Sequence, residues 1–153
     1  MERPRTGDLD PWFWRPQDEP GAGWDTASGR TGSRSLKISK ETDGISTWYS
    51  MCEGQGYWSM PWTPCKGYEV SCWVKTENLR GPGASIGICY HVPNVPPAWP
   101  VTRSERLTGT NGWTKLTVII GPPPVDTSIV SLHLQQVGSG TVWFDDLEVR
   151  MLK

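Results

Sequence analysis

Residues 138–149 read Gly-Ser-Gly-Thr-Val-Trp-Phe-Asp-Asp-Leu-Glu-Val. The β-branched and aromatic residues that follow the two glycines are typical of a pleated, half-buried strand. Val142 and Phe144 share one face of such a strand, whereas Leu147 and Val149 have the opposite parity. Because side chains alternate with a period of two, all four can be buried only if the strand slips by one residue at a β-bulge. The sequence therefore predicts a closing strand with a bulge between the two apolar pairs.

The predicted slip coincides with two adjacent carboxylates, Asp145 and Asp146. Adjacent like charges near a core repel each other, so they need a cation, backbone N–H donors or full solvation. Gly138 and Gly140, just before this strand, predict a tight turn. From these residues alone, a solvated strand end and a bound cation are both open interpretations of the aspartate pair.

The length and charge of the chain limit the classes of protein to which it can belong. With 153 residues, it is long enough for one domain, 1–153, with a substantial core. Its 15 basic and 16 acidic residues are interspersed and give a net charge of −1, so neither nucleic acid nor an anionic membrane is expected as a partner. No apolar run approaches membrane-spanning length, and we expect no signal peptide behind Met1.

The cysteines do not form a metal-binding pattern. Cys52, Cys65, Cys72 and Cys89 contain no CxxC pair and have no histidine cluster at ligand spacing. Cys72 lies in a clean strand pattern, so we expect it to be a small buried hydrophobic residue. A bridge between Cys52 and Cys65 is one open possibility in an oxidising compartment, and the sequence leaves the pairing undetermined.

Tryptophan is unusually frequent in this chain. Ten tryptophans stand against two phenylalanines. Each indole N–H needs a hydrogen-bond partner when it is buried, which makes tryptophan a poor residue for filling a core in such numbers. We therefore expect some of these rings to be exposed and used for contact.

Alternating apolar and polar residues predict further strands along the rest of the chain. A short first strand starts near residue 7, and the others are predicted at 35–38, 46–51, 57–62, 68–75, 84–91, 113–120 and 129–136. Glycine and proline mark the turns between them, including one at 81–83. A proline-rich loop over 92–103 is long enough to suggest a function. Since no stretch has a helical period, the sequence predicts an all-β fold, a two-sheet antiparallel β-sandwich of jelly-roll type.

Five segments follow one another in a recognisable order. They read Gly-Asp-Leu-Asp, Gly-Ser-Arg-Ser-Leu-Lys-Ile, Lys-Gly-Tyr-Glu-Val-Ser-Cys-Trp-Val-Lys-Thr, Gly-Trp-Thr-Lys-Leu-Thr-Val and Gly-Thr-Val-Trp-Phe-Asp-Asp-Leu-Glu-Val. In this order they resemble the carbohydrate-binding modules of the family 4/9, 16 and 22 group, which have a galactose-binding-domain-like jelly roll. The resemblance spans nearly the whole chain, and it is more specific about the fold than about the glycan.

The resemblance implies a structural calcium ion that ties the first strand to the last. The positions that match the family's ligands are Asp10 (or Asp8), backbone carbonyls of the turn at 29–33, and the pair Asp145 and Asp146. A hard cation with oxygen ligands would relieve the repulsion between the paired carboxylates. The first motif carries a shorter acid here than the family's glutamate.

The resemblance also implies a glycan site on the outward-pointing residues of one sheet or at its edge. The matching positions are Trp48, Trp73, His133 and Gln135, with His91 and Trp99 as neighbours. A pyranose has an apolar C–H face that packs on a flat ring, and its hydroxyls need paired donors and acceptors. Tryptophan supplies the ring, and histidine and glutamine supply the polar groups. The alternative interpretation of the two histidines and the glutamine is that they are ordinary solvated strand residues.

The function implied by the resemblance is a non-catalytic module that binds a polysaccharide or oligosaccharide through an aromatic platform. Such a module targets a catalytic domain in the same chain to its substrate, and a secreted or extracellular location is expected. Two other classes stay open. One is an accessory β-sandwich that packs on its parent enzyme or on a protein partner without binding glycan. The other is a small glycoside hydrolase or lyase, which would need a general acid and a base or nucleophile in one cleft.

Overall fold

A computed structural model describes residues 13–14, 21–53, 65–92, 100–127 and 129–153, and for residues 13, 14, 50–53 and 129 it describes the backbone alone. Within these ranges every regular element is a β-strand, which confirms the predicted all-β class. The strands are β1 (Phe13–Trp14), β2 (Ala22–Asp25), β3 (Ser35–Lys40), β4 (Ile45–Glu53), β5 (Gly67–His91), β6 (Thr102–Arg103), β7 (Leu107–Ile120) and β8 (Ile129–Leu152). No helix in the described residues is long and apolar enough to cross a membrane. The strand predicted at 57–62 and most of the predicted first strand lie outside the described residues.

Two long antiparallel strands, β5 and β8, organise the molecule. They pair along their whole length, from Gly67 opposite Leu152 to His91 opposite Ile129. Each contributes one half to each of two sheets. The front sheet contains β1, β4, residues 129–137 of β8, residues 83–91 of β5, and β6. The back sheet contains β2, β3, residues 139–152 of β8, residues 67–80 of β5, and most of β7.

Apolar side chains of the two sheets form one core between them. The back sheet contributes Leu36, Ile38, Val70, Val74 and Phe144, and the front sheet contributes Ile86, Ile88, Val130, Leu132 and Leu134, all at most 1% exposed. These residues are the apolar members of the alternating patterns from which the strands were predicted. The two-layer antiparallel β-sandwich is therefore confirmed.

Both long strands bend where they pass from one sheet to the other. In β8 the bend contains Gly138 and Gly140, with φ angles of 114° and 119°. A Cβ on Gly138 would lie 1.8 Å from the carbonyl oxygen of Arg80, and one on Gly140 would lie 2.6 Å from that of Asn78. The glycines therefore allow two backbones to approach each other, and the tight turn predicted at this point is wrong.

The turn predicted at 81–83 is wrong for the same reason. Strand β5 continues through these residues to His91, with register shifts on either side of Arg80 that match the bend in β8. The buried amide of Gln136 lies inside the bend and donates hydrogen bonds to the carbonyl oxygens of Gly138 (3.4 Å) and Gly140 (3.1 Å). The glycine-rich segments therefore mark a bend and not a turn. Neither strand folds back on itself there, because β5 and β8 stay paired with each other on both sides of the bend.

The predicted one-residue slip in the closing strand is confirmed. Ser71 pairs with Glu148 and Trp73 with Asp145, so β8 has one more residue than β5 between these pairs. The extra residue is accommodated at Asp146, whose φ is 47°. The apolar pairs on both sides of the bulge then reach the core, as the sequence required.

The cysteines with described side chains do not show the bridge considered from sequence. Cys65 and Cys72 carry free thiols, so Cys65 is not joined to Cys52. Cys72 is fully buried, as expected, and its thiol donates a 3.2 Å hydrogen bond to the carbonyl oxygen of Asp145. Burial raises the pKa of this thiol far above its ordinary value, which keeps it protonated and unreactive.

Substituting Gly138 with alanine should destabilise the fold strongly. The added Cβ would overlap the Arg80 carbonyl, and the positive φ would be strained, so we expect a loss of at least about 3 kcal/mol in the free energy of unfolding. Gly112→Ala in β7 is the matched control, because a Cβ there meets nothing within 4 Å. We expect it to change stability by less than about 1 kcal/mol. Urea unfolding of the two variants checks this, and equal effects would refute the role assigned to the bend.

Candidate functional site

The outer face of the front sheet carries polar side chains that are buried. Alternation places the outward residues of β4, β5 and β8 next to one another across the sheet. Those with described side chains and low exposure are Ser85 (0%), Ser131 (1%), Thr47 (2%), Cys89 (2%), His133 (8%) and Gln135 (9%). The sequence predicted an outward direction for His133 and Gln135 of β8, and the structure adds that both side chains are largely buried.

A chain of hydrogen bonds joins the two histidines of the protein through one serine. The Ser131 hydroxyl lies 2.7 Å from Nε2 of His91 and 2.8 Å from Nε2 of His133. A hydroxyl has one hydrogen to donate, so when it donates to one imidazole it accepts from the other. The Nε2 that receives the hydroxyl hydrogen then carries no proton itself, whereas an Nε2 that donates to the hydroxyl carries one. Burial also lowers the pKa of His91, which favours the neutral form.

Neighbouring side chains extend this polar row on both sides. The Gln135 amide donates to the Thr47 hydroxyl at 3.1 Å, and the ring of Tyr49 meets that of His133 edge-on at a centroid distance of 4.7 Å. Burial raises the pKa of Cys89, while a hydrogen bond with Ser131 opposes the shift. The row therefore offers oriented donors and acceptors with one aromatic ring beside them.

Three of the predicted glycan-binding residues meet on this face. His91, His133 and Gln135 lie within the polar row, in the arrangement that their strand positions implied. Trp99 lies outside the described residues, so its role stays a prediction. The other two predicted residues, Trp48 and Trp73, lie elsewhere.

Trp48 belongs to the core. It is opposite Leu134 in the front sheet, is 5% exposed, and packs in the main hydrophobic cluster. Its indole N–H donates a 3.3 Å hydrogen bond to the carbonyl oxygen of Lys37 in the back sheet. The expectation of an outward ring at this position is corrected, because the parity of β4 points Trp48 inward and leaves Tyr49 outward.

Trp73 lies on the outer face of the back sheet, away from the polar row. The guanidinium of Arg30 stacks on its ring, with the central carbon 3.8 Å from the ring centroid. The neighbouring Trp143 is covered in the same way by Lys37 and Lys75, whose ammonium groups lie 5.3 and 4.9 Å from its centroid. Its indole N–H donates to Asp25 at 2.7 Å. Cations of the chain itself therefore occupy these aromatic faces.

The aspartate pair is held by hydrogen-bond donors. Asp145 is fully buried, and its Oδ2 accepts from the backbone N–H groups of Arg30 (2.7 Å) and Thr31 (3.3 Å), while Oδ1 accepts from the N–H of Asp146. Asp146 accepts from the Thr31 hydroxyl and from the Arg30 guanidinium, the latter at 2.6 Å. The turn at 29–33 thus contributes N–H groups and a guanidinium to the strand it covers.

This donor set bears on the calcium ion that the resemblance implied. A calcium site needs oxygen acceptors around the ion. All four oxygens of the aspartate pair instead receive hydrogens, and no group of three or more His, Cys, Asp or Glu residues suited to a metal occurs in the described ranges. The described residues alone do not fit a calcium ion. Asp10 lies outside them, so its part in a site stays a prediction.

Sequence reasoning missed one charged residue of the polar face, Arg103. It lies on the edge strand β6 opposite Gly87 of β5, which is itself opposite His133. A signal was present, because a glycine between two inward isoleucines marks a close approach by another group. A Cβ on Gly87 would lie 3.3 Å from Nη1 of Arg103.

The fold is shared with carbohydrate-binding modules of known structure, although no protein-family model and no curated protein matches the chain. A family 16 carbohydrate-binding module has a TM-score of 0.62 at 15% identity, covering 90% of this chain and 89% of its own. The CBM22-1–GH10 part of Clostridium thermocellum endo-1,4-β-D-xylanase 10B, solved with xylohexaose, has a TM-score of 0.64 at 15% identity, covering 94% of this chain and 26% of its own.

A family 61 module, TmCBM61, solved with β-1,4-galactotriose, has a TM-score of 0.58 at 13% identity and covers 92% of this chain and 88% of its own. At such identities the likeness concerns the fold. The resemblance found in the sequence is confirmed at that level, and the chain has the β-sandwich fold of carbohydrate-binding modules.

Removing the Arg30 side chain should destabilise the junction between the turn and the last strand. Arg30→Ala removes an ion pair with Asp146 and the stacking on Trp73, and we expect a loss of about 1–2 kcal/mol. Arg150→Ala is the matched control, since Arg150 pairs with Glu69 at 2.8 Å but its side chain is 62% exposed. That change should cost less than about 0.5 kcal/mol. Urea unfolding measures both, and equal losses would contradict the role of Arg30.

Stability should fall in acid through Asp146. Partial burial opposes its ionisation, but hydrogen bonds from Thr31 and Arg30 outweigh this and hold the pKa of the carboxyl below its ordinary value of 3.8. A carboxyl with a lowered folded-state pKa contributes stability above its unfolded pKa and loses it as the pH falls through the folded value. Asp146→Asn should therefore flatten the stability profile below about pH 4. Urea unfolding between pH 7 and pH 2.5 would show this, and an unchanged profile would argue against it.

Proposed function

We propose that the chain is a non-catalytic polysaccharide-binding module whose glycan lies on the outer face of the front sheet. The observation that carries this proposal is the buried polar row built on His91, Ser131, His133 and Gln135. A sheet face that only meets water has no need of interlocked histidines, and a face that only packs would be apolar. The fold, which it shares with modules solved with xylohexaose and galactotriose, supports the same assignment.

The chemistry of the row suits sugar hydroxyls. A neutral imidazole has one N–H donor and one acceptor nitrogen, and the Gln135 amide adds both kinds of group. Because Ser131 and Thr47 fix these side chains, little rotamer freedom is lost when a ligand binds. Tyr49 is the aromatic ring that the described residues place beside the row. The proposed platform combines it with Trp99.

The proposal extends to the setting in which the module works. The xylanase noted above has a module and a GH10 domain in one chain, and we propose that this chain is likewise tethered to a secreted polysaccharide-degrading enzyme. Tethering would raise the enzyme's effective concentration on its substrate. The calcium ion enters this proposal through Asp10, which would have to add oxygen ligands beside the aspartate pair. A melting temperature that drops in chelator would show such an ion.

The alternative of a protein-docking accessory domain has no specific observation in its favour. The large exposed apolar residues among the described ones are Ile45, Ile119 and Val125, at 60%, 59% and 102% exposure. Ile45 lies opposite Val137 next to the bend, whereas Ile119 lies opposite Glu69 near the start of β5 in the back sheet, so these two residues do not share one patch. We therefore place the glycan-binding proposal first.

Affinity gel electrophoresis against a panel of neutral and acidic soluble polysaccharides tests the proposed site. The unmodified chain should be retarded by at least one polymer, and Gln135→Leu or His133→Phe should weaken retardation about tenfold, as expected for loss of a buried hydrogen bond. Trp73→Phe on the back sheet is the control and should leave retardation unchanged. Melting temperatures confirm that each variant is folded.

Two results would contradict the proposal. Retardation that is lost in Trp73→Phe but kept in both front-sheet variants would move the site to the back sheet. A chain that no polysaccharide retards would remove the glycan-binding function itself.

A further inference from the structure

One cation on the front face has no counter-charge among the described residues. Arg103 lies on the edge strand β6, in the row that continues through Gly87 to His133 and Tyr49. Because Gly87 has no side chain, the guanidinium lies over strand β5, where a Cβ would be only 3.3 Å from Nη1. The charge is therefore carried from the edge of the sheet toward the polar row.

The guanidinium is buried on one side and incompletely bonded. Nη1 is inaccessible to solvent and has no hydrogen-bond partner in the described part of the chain. Burial lowers the pKa of Arg103, and the nearby positive charge of Arg106 lowers it further. The groups that act in the opposite direction are Tyr49 and Cys89, and neither is a carboxylate.

A second polar atom of the same face is also unsatisfied. Ser85 precedes Gly87 by two residues on β5, so their outward positions are neighbours along the strand. Its hydroxyl is fully buried and has no hydrogen-bond partner in the described residues. Two buried polar groups on one face without a partner among the described residues are costly for a fold, because each has lost its hydrogen bonds to water.

We propose that the front face binds an acidic polysaccharide and that the carboxylate of a uronic acid unit pairs with Arg103. The planar guanidinium of the half-buried Arg103 can form a two-pronged hydrogen-bonded pair with a carboxylate through nitrogens other than the enclosed Nη1, and this pair supplies the missing counter-charge. A hydroxyl of a neutral sugar could accept a hydrogen bond but would leave the charge uncompensated. None of the described outward side chains in the front-sheet parts of β4, β5 and β8 is a carboxylate that would repel such a ligand.

This inference rests on the proposed function, because it names the class of glycan for the same face. The net charge of the chain is −1, so a polyanion is not attracted to the molecule as a whole. Preference for an acidic polymer must then come from a local group. Arg103 and Arg106 lie three residues apart and differ in their surroundings, which gives a matched pair for a test. Arg103 lies over Gly87 in the row of His133, whereas Nη1 of Arg106 already donates a 3.2 Å hydrogen bond to the carbonyl oxygen of Gly83.

The experiment compares acidic polysaccharides with their own neutral forms. Affinity gel electrophoresis and calorimetry would use the full chain with polygalacturonate, alginate and glucuronoxylan, each before and after chemical reduction of its carboxyl groups. At least one acidic polymer should bind. Its reduced form should bind with an affinity lower by a factor of about ten or more, as expected for loss of a charge-assisted pair. Dextran sulfate and neutral dextran form a control pair for negative charge without carboxylates. Both should bind more weakly than the carboxylate polymer.

Variants locate the effect. Arg103→Gln should weaken binding of the acidic polymer about tenfold and leave the reduced polymer unaffected, whereas Arg106→Gln should change either affinity less than about twofold. If Arg103→Gln fails to fold, Arg103→Lys takes its place. It keeps the charge, loses the planar fork, and should show an intermediate loss.

The outcomes separate this inference from the proposed function. Equal or tighter binding of the reduced polymers, or of neutral glycans only, would overturn the uronate assignment and leave the glycan-binding function in place. Equal binding of dextran sulfate would also overturn it, in favour of a general polyanion site. If no polysaccharide of either kind binds, the proposed function fails, and the inference fails with it.

Discussion

The continuous pairing of β5 with β8 is the constraint on which the other features of this sandwich depend. A two-layer fold must normally turn the chain over at the end of every strand. Here two strands cross together from the back sheet to the front sheet, and their hydrogen bonds persist across the bend. This requires both backbones to bend at the same level, and Gly138 and Gly140 meet the carbonyls of Arg80 and Asn78 at distances that no side chain would permit. The buried Gln136 amide then satisfies the carbonyls that the bend exposes within the core.

The bend also fixes what each outer face can do. Because β8 continues from one sheet to the other, the polar positions of its first half lie on the front face, while Trp143 and Asp145 in its second half lie on the back. The bulge at Asp146 exchanges the inward and outward positions of β8, so the apolar residues beyond it, Leu147 and Val149, face the core. Strand β8 therefore carries residues of the candidate site, Trp143 and the aspartate pair. The alternation of inward and outward positions in each part of the strand determines the face on which each of them lies.

How far the sequence predicts this structure depends on how clear the alternation is. In β3, in the first half of β5 and in β8, apolar and polar residues alternate cleanly, so the inward faces follow directly. In β4, the run Ser46-Thr47-Trp48-Tyr49 has two adjacent aromatic residues, and both faces of the strand are buried, so the pattern could not assign an outward ring. The bend was beyond local reasoning altogether, because a glycine pair at a turn and a glycine pair at a bend look alike until the partner strand is known. Arg103 was missed because only the register with Gly87 brings it over the sheet.

The distribution of cations explains why so many tryptophans need not build a binding platform. On the back sheet, Arg30 covers Trp73 and two lysines cover Trp143, so the ring faces that could stack on a sugar are already occupied. Those cations are themselves balanced, Arg30 by Asp146 and Lys37 by Asp25. On the front sheet the relation is reversed, since Arg103 has neither a ring face nor a carboxylate assigned to it among the described residues. The cations that cover the back sheet are thus paired with carboxylates of the chain. On the front face, Arg103 has no such carboxylate among the described residues, and a ligand can supply the anion.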